Sequence, residues 1–334
     1  MDPVFIIILN FNGEADTIAC IESLLSIHYR TITICVFDNG SKAESVSRLQ
    51  QYFCEVQKYF DKFIDESYNN ISYNYTIEQD KRNFLFFRNT ENLGFAAGNN
   101  AGINVALQNG FEYVLLLNND TLVEPDFLNK MMEFITTHPQ YVALTPKICY
   151  ERLRNKIWNC GGHLTWFKNR KYFYADAFTD QAPQTGFGEI SFITGCCLLF
   201  NPKKIGLLSE NFFFGEEDFE FSLRIKQQKK KMACKYDAVI YHKVGHSISN
   251  VSNTFGKAKL HYINRFIDIK NYYPYTWKLW FLLNGIYAFF LLLCKYKIEI
   301  KKNLLFWCDV YKTVKVKNRV SKSDFFTIIN FENK

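Results

Sequence analysis

Residues 4–9, VFIIIL, form an unbroken apolar, β-branched run that stops at Asn10, the pattern of a central parallel strand buried on both faces. Behind it, TIACIESLLSIH places Ile18, Ile21, Leu24, Leu25 and His28 at helical spacing, and TITICVFDNGS is a second apolar run that ends on a polar tip at Asp38. The unit is β-α-β. From Glu44 to about residue 83 the pattern weakens into a polar, Asn- and Tyr-rich stretch, expected to be a helix and then a surface excursion, to which no chemistry is assigned. Order returns with a strand in FLFFRN, a helix in NLGFAAGNNAGINVALQNG, a strand in EYVLLLNND and a helix in PDFLNKMMEFITTH, which has proline near its start. Such alternation predicts an α/β fold: a doubly wound, mostly parallel sheet flanked by helices.

The shorter apolar pieces VALTPKICY, FITGCCLLF and ACKYDAVIYH surround a helix in EDFEFSLRIKQQKKK, and HYINRFIDIKNYY follows His246. The expected division is an α/β unit over 1–250 and a helical extension over 251–334. Within the extension, Trp277 to Cys294 is an apolar run of 18 residues including Lys278 and Asn284. A bilayer-spanning helix needs about 20. The run therefore reads as a helix lying on a membrane surface, ahead of a spanning or a simply buried one. Trp277, Trp280 and the lysines that follow would anchor it, which makes 277–302 the membrane-surface candidate.

Composition narrows the function classes. With 48% hydrophobic residues, 33 Phe and 20 Tyr the chain has too many core formers for disorder, and 22% charged residues argue against a polytopic membrane protein. The net charge of +7 is concentrated late, from Lys295 to Lys322, where it suits anionic lipid; no nucleic-acid-binding signature accompanies it. The ten cysteines show no CxxC pair and no zinc spacing, so reduced thiols are expected. MDPVFIIILNFNG lacks the lysines and the long apolar region of a secretory signal. The expected location is cytoplasmic, on the inner face of the cell membrane.

Three strands end on polar tips, at Asn10 to Asn12, at Asp38 and Asn39, and at Asn118 to Asp120. Turns favour Asn and Asp for local reasons, but three such tips together suggest a ligand crevice beyond the carboxyl ends of the sheet. Asp120 is the candidate for a hard divalent cation, Mg²⁺ or Mn²⁺, that takes further ligands from phosphate oxygens. Gly94, Gly98 and Gly102, four apart, make a bare helix face, for close approach to a ligand or for tight packing; the GxGxxG spacing of a nicotinamide site is absent. Glu216, Glu217, Asp218 and Glu220 precede a helix whose lysines trail, as its dipole prefers, yet the apolar FFFG before them offers a partly desolvated surface on which one carboxylate could act as a base. His242 and His246 follow a strand-like segment, and an imidazole there could complete a cation site or be structural.

In order, ILNFNG, VFDNGS, NLGFAAGNNAGI, LLLNNDTLVEPDFL, FITGCCLLF, GEEDFEFSLR and YHKVGHS resemble the family-2 inverting glycosyltransferases of the GT-A fold, especially the bacterial rhamnosyltransferase-like branch. The likeness covers roughly residues 3 to 275, and NLGFAAGNN followed by LLLNND is its most specific part. It implies a metal-dependent transferase with a Rossmann-like sheet, a nucleotide-sugar half at about 1–120 and an acceptor half at about 121–250. The donor would be dTDP-rhamnose or a UDP-sugar and the acceptor a saccharide, with the apolar basic tail suggesting a lipid-linked one. The donor side is expected to involve Asn10, Asn12, Asp38, Asn92, Gly94, Asn99, Asn119, Asp120 and Gly195. Asp120 and His242 would hold the metal, and Glu217 and Asp218 match the acidic pair whose second member acts as the base. Two departures stand out: Asn118 and Asn119 replace acids in the DxD-like motif, and the segment between Asp38 and Arg88 is long. The competing readings are a nucleotidyltransferase, for which the N-terminal loop lacks the basic Gly-rich sequence, and an inactive membrane-associated binding module.

Overall fold

The computed structural model describes residues 1–67, 77–244 and 254–330. His246, one of the two histidines weighed for a cation site, lies outside them. The strands in chain order are β1 (Val4–Asn10), β2 (Ile32–Asp38), β3 (Lys62–Ser67), β4 (Asn83–Arg88), β5 (Tyr113–Leu117), β6 (Thr121–Val123) and β7 (Tyr141–Tyr150). They continue with β8 (Ile157–Asn159), β9 (Gly162–Leu164), β10 (Arg170–Tyr172), β11 (Phe187–Ile190), β12 (Cys197–Phe200) and β13 (Lys231–His242). The main sheet runs β11-β13-β7-β12-β5-β1-β2-β4-β3, with β6 on β13 and β8 on β7, while β9 and β10 form a separate ribbon.

β1 has no polar alternation because both its faces are covered. Val4, Ile6 and Ile8 join one core with Cys20, Ile21 and Leu24 of the helix α1 (Glu14–Leu25), and Phe5 and Ile7 join the other. All five are fully buried, each worth roughly 1.5–3 kcal/mol relative to exposure. α1 ends before His28, whose ring instead pairs with Asp126 on the surface.

The polar segment after Glu44 holds more structure than its pattern suggests. α2 (Ala43–Val56) is followed by the edge strand β3, parallel to β4. β3 carries Lys62, Asp65 and Glu66, so its sequence reads as surface. α3 (Phe95–Gln108) and α4 (Phe127–Thr137) appear where the periodicity places them.

β1 pairs in parallel with β2 on one side and β5 on the other, and Asn10 stands opposite Asp38 in the register. The chain moves outward through β2 and β4 and then returns to β5, so the strand order reverses at β1/β5, where open α/β sheets bind ligands. Beyond β5 the sheet is mixed: β12 is antiparallel to both β5 and β7, and β13 is parallel to β7. β13 ends on His242, paired with Thr121 of β6, which carries the imidazole to the residue after Asp120.

A short helix α5 (Pro202–Ile205) and α6 (Glu217–Gln227) complete the α/β unit, and α7 (Thr254–Tyr272), α8 (Trp277–Tyr296), α9 (Ile300–Val316) and α10 (Lys322–Ile329) follow. The last four share an aromatic core with Phe192, Phe212, Phe219 and Leu223. α10 is capped by the reciprocal pair Ser321 and Asp324, and its Phe325 ring lies 5.2 Å from that of Phe213. α8 buries Trp277, Trp280, Asn284, Ala288 and Leu292 on one face. On the other, Leu279, Leu282, Ile286 and Phe290 are 51%, 57%, 50% and 57% exposed. It is long and apolar enough to cross a membrane by length and composition, and only 28% of the Trp277–Cys294 window is buried. A simply buried core helix does not look like this.

Candidate active site

Two groups of side chains carry the candidate chemistry, one at the ends of β1, β2 and β5 and one at the start of α6. The first begins with Asn10, whose amide donates to Asp38 Oδ1 at 2.7 Å and whose carbonyl accepts from Thr17 Oγ1 at 2.9 Å. Asp38 Oδ2 receives the backbone N–H of Ser41 at 3.0 Å, and the Ser41 hydroxyl receives the N–H of Asn12 at 2.8 Å. Asn12, in the left-handed region at φ 50°, accepts from the N–H of Lys42. Asp38 is therefore buried with both oxygens engaged, and its role here is to tie the ends of β1 and β2 into one rigid loop.

Asn119 joins this loop by donating to Thr17 Oγ1 at 3.0 Å and to the Gly13 carbonyl at 3.3 Å. A Cβ on Gly13 would come within 2.7 Å of the Asn119 amide, so the glycine is what permits the approach. Neither Gly13 nor Thr17 stands out in the sequence. Asn92 and Gly94 belong to the adjoining turn: Asn92 Oδ1 accepts from Gly94 N at 2.8 Å and from Asn39 at 3.0 Å.

The glycine stripe is a packing surface. A Cβ at Gly98 would lie 2.6 Å from Leu9 Cδ1, and one at Gly102 would lie 3.0 Å from Ile7. Gly94 has φ +88°, and a Cβ there would meet the Phe213 carbonyl oxygen at 2.1 Å. Asn99 is buried and bonds to the Phe95 carbonyl of its own helix at 2.9 Å.

Asp120 is buried, and its Oδ1 lies 3.1 Å from His242 Nε2 without an aligned hydrogen bond to any donor. His242 Nδ1 is likewise enclosed without a partner, and the ring faces Trp158 at 4.6 Å between centroids. Burial lowers the basicity of the imidazole, but the Cys196 sulfur and the Asp120 carboxylate outweigh it and push the pKa up to about 10. Lys243 follows, ion-paired to Asp16 at 2.7 Å. Among the described residues no three His, Cys, Asp or Glu side chains group closely enough to hold a metal on their own. Asp120 Oδ1 and His242 Nε2, facing each other at 3.1 Å, suit a cation that would take the place of the imidazole proton and draw its other ligands from a diphosphate and water.

The second group stands at the start of α6. Glu216 is enclosed by Arg265 at 2.6 Å, His261 at 2.7 Å and Arg170 at 3.7 Å. Arg170 also reaches Asp218 Oδ1 at 3.5 Å. Burial raises the pKa of both Glu217 and Asp218, and the Asp218 charge adds to it at Glu217, which is pushed up to about 8. For Asp218 the Arg170 guanidinium opposes the burial. Glu217 Oε2 is buried without a partner, as a protonated carboxyl tolerates better than an ionised one. Burial and the close approach of the two carboxyls thus favour a proton held by the acidic pair, with Arg170 opposing the rise at Asp218. Arg170, His261 and Arg265 come from two distant elements and carry no local motif that sequence reading could find.

The 193–196 loop links the two groups. The N–H of Asn118 donates to the Cys196 carbonyl at 2.9 Å, Ile193 N donates to Ser222 Oγ at 3.1 Å, and that hydroxyl donates to the Asp218 carbonyl at 2.8 Å. The 193–196 loop between them carries Gly195, where a Cβ would meet only ordinary contact with Phe95 at 3.5 Å. A second path runs from His242 through Trp158 to Tyr172, rings 6.0 Å apart, on the strand that carries Arg170.

The family model of glycosyl transferase family 2 matches residues 5–206, more than half of the chain and most of the sheet just described. The chain belongs to that family. A second model, glycosyl transferase family group 2, matches residues 113–308, taking in the acidic turn and α7 and α8. This glycosyltransferase has the GT-A type of fold, and its solved likenesses include the crystal structure of S. aureus TarS 1–349, with a TM-score of 0.53. At 12% identity over 99% of this chain and 81% of that one, the likeness speaks for the fold alone. A search of the curated proteins returns no match. Family membership removes the nucleotidyltransferase reading and brings with it a nucleotide-sugar donor and a saccharide acceptor.

Proposed function

We propose that the protein is an inverting glycosyltransferase that moves one sugar, from dTDP-rhamnose or a UDP-sugar, to a saccharide acceptor carried on a lipid, in the assembly of a surface polysaccharide. The observation that carries the reading is the buried acidic pair Glu217 and Asp218, the latter 3.5 Å from Arg170, linked through the 193–196 loop to the Asn118–Asp120 turn whose Asp120 faces His242 at 3.1 Å. Asp218 takes the proton from an acceptor hydroxyl as that oxygen bonds to the anomeric carbon. On the opposite face the bond from the anomeric carbon to the diphosphate oxygen breaks, and its electron pair leaves with the nucleoside diphosphate. One displacement inverts the centre.

Asp120 and His242 would hold Mg²⁺ or Mn²⁺, which when bound supplies positive charge for the departing diphosphate. Asn10, Asn12, Asp38, Asn92, Asn119 and Gly195 belong to the loops that would receive the nucleotide and its sugar. The α/β unit of 1–250 would thus hold donor and base. The extension of 251–334 would seat the protein peripherally on the inner face of the cell membrane, where a lipid-linked acceptor lies; the exposed apolar stripe of α8 supports this.

Asp218→Asn in the purified protein should abolish release of nucleoside diphosphate while leaving the thermal shift produced by donor and Mn²⁺ intact. Near wild-type turnover would overturn the assignment, and a screen of dTDP-rhamnose and UDP-hexoses by thermal shift would identify the donor.

A further inference from the structure

Glu216 has a backbone that L side chains rarely adopt, at φ +70°, directly after Gly215 at φ +89°. Two left-handed residues in succession reverse the chain between Phe213 and α6. Phe213 is itself pinned: its N–H donates to the Val320 carbonyl at 3.0 Å, and its own carbonyl accepts from Phe95 N at 3.3 Å. The other side of the turn is gripped by α7. Asn264 Nδ2 donates to the carbonyls of Phe214 and Gly215 at 3.1 and 3.3 Å. Arg265 Nε donates to Glu216 Oε2 at 2.6 Å while its guanidinium lies 3.7 Å over the ring of Phe219. His261 Nδ1 stands 2.7 Å from Glu216 Oε1. Residues 261, 264 and 265 are spaced i, i+3 and i+4, so one face of a single helical turn supplies all three.

We propose that this turn of α7 positions the catalytic base: Glu216, clamped by His261, Asn264 and Arg265, is a positioning residue that fixes the Asp218 carboxylate through Arg170. The inference rests on Asp218 being the base. Arg170 is the link, since its guanidinium lies 3.7 Å from Glu216 Oε1 and 3.5 Å from Asp218 Oδ1. Shared between two carboxylates, it holds Asp218 in place without pairing fully with it, so Asp218 keeps enough basicity to accept a proton. Against burial, Arg265, Arg170 and His261 hold Glu216 ionised, well below the usual carboxylate range.

The groups that face this cluster are Arg170 and Tyr172 of β10, Glu217 and Glu220 beside it, and His261, Arg265 and Asp268 of α7. Neutralising Glu216 has one sign. It removes a negative charge that raises the Asp218 pKa and frees Arg170 to pair with Asp218 alone; both lower that pKa. A helical extension outside the sheet thereby becomes part of the catalytic machinery.

The test uses the full-length protein labelled with ¹³C at aspartate carboxyls, with Asp218→Asn assigning the Asp218 resonance. In Glu216→Gln the titration midpoint of Asp218 should move to lower pH, and nucleoside diphosphate release from the donor that the wild type accepts should fall by about 10²-fold, with donor KM unchanged. Glu216→Asp should recover part of the rate. His261→Gln, at a half-exposed ring, should fold; with one partner of Glu216 gone, Arg170 is drawn to Glu216 and away from Asp218, so the midpoint should move by a smaller amount to higher pH, which decides the matter if Glu216→Gln does not fold. A purely structural role would lower Tm and leave the midpoint in place. The proposal fails if the midpoint is unmoved in every folded variant. Turnover surviving in Asp218→Asn would instead sink the base assignment, and the two failures are read on different variants.

Discussion

Asp120 Oδ1 and His242 Nε2 stand 3.1 Å apart, although one residue follows β5 and the other ends β13. The antiparallel pairing of β6 with β13 makes the meeting, and the enclosed Asp120 Oδ1 and His242 Nδ1 are left without hydrogen-bond partners. With Asn118 and Asn119 in place of acids, Asp120 is the anionic member of the motif, so metal affinity should depend on this pair. Stabilisation of the wild type by UDP or dTDP with Mn²⁺ should disappear with chelator, at a scale of about 2.7 kcal/mol when ligand is a hundredfold above Kd. Asp120→Asn should lose most of the Mn²⁺-dependent part and His242→Asn about 10- to 100-fold in metal affinity. Equal Mn²⁺-dependent shifts in wild type and both variants would refute the site.

Glu217 binds a proton in the folded protein at pH values where the unfolded chain has released it, since burial and the neighbouring Asp218 raise its pKa from 4.5 to about 8. For a raised pKa the sign is fixed: the native state gains stability below the unfolded value and loses it as pH climbs through the folded one. Between about pH 4.5 and pH 8, wild-type stability should therefore decline relative to Glu217→Gln, whose amide does not titrate. Urea unfolding of both proteins at several pH values checks this. Parallel curves would mean that Glu217 is ionised throughout.

The sheet was legible where strands are buried on both faces, because VFIIIL, FLFF and YVLLL have no polar positions to mislead. β3 was not, since an edge strand shows its outer side to water and KFIDES reads as surface. The polar tips were legible as a place but not as roles. Asp38 and Asn39 look like ligand contacts in sequence, and in the structure their side chains mainly hold neighbouring loops. The clamp on Glu216 had no signal at all: Arg170 and Arg265 sit far apart in sequence, on a short ribbon and on a helix of the extension.

The glycine stripe separates backbone need from side-chain crowding. Gly94→Ala adds a Cβ against the Phe213 carbonyl at 2.1 Å in a left-handed conformation, and no rotamer relieves a backbone contact. Its cost should exceed about 2 kcal/mol. At Gly98 the nearest atom is the flexible end of Leu9, so Gly98→Ala should cost about 1 kcal/mol or slightly more. Chemical denaturation ranks the two. The reverse order would mean that the turn at Gly94 adapts more easily than the contact between α3 and β1.

The outer stripe of α8 bears on where the enzyme works. Asn284 donates to the carbonyls of Trp280 and Phe167 and accepts from Asn169, so the inner face is fastened to the protein by polar as well as apolar contacts. Crossing a bilayer would break those contacts; lying on one uses the outer stripe and keeps them. Lys278, Lys297, Lys301 and Lys302 are exposed around it and match anionic headgroups. The wild type should therefore sediment with vesicles containing phosphatidylserine, more weakly with neutral ones and less at high salt. Leu282→Asp with Phe290→Asp removes two side chains worth roughly 1.5–3 kcal/mol each when buried, so partitioning should fall at least about tenfold with Tm nearly unchanged. Binding that survives the double substitution would place the membrane contact elsewhere. A loss of dimer mass in light scattering, without any vesicle binding in the wild type, would mean that a second copy covers the stripe.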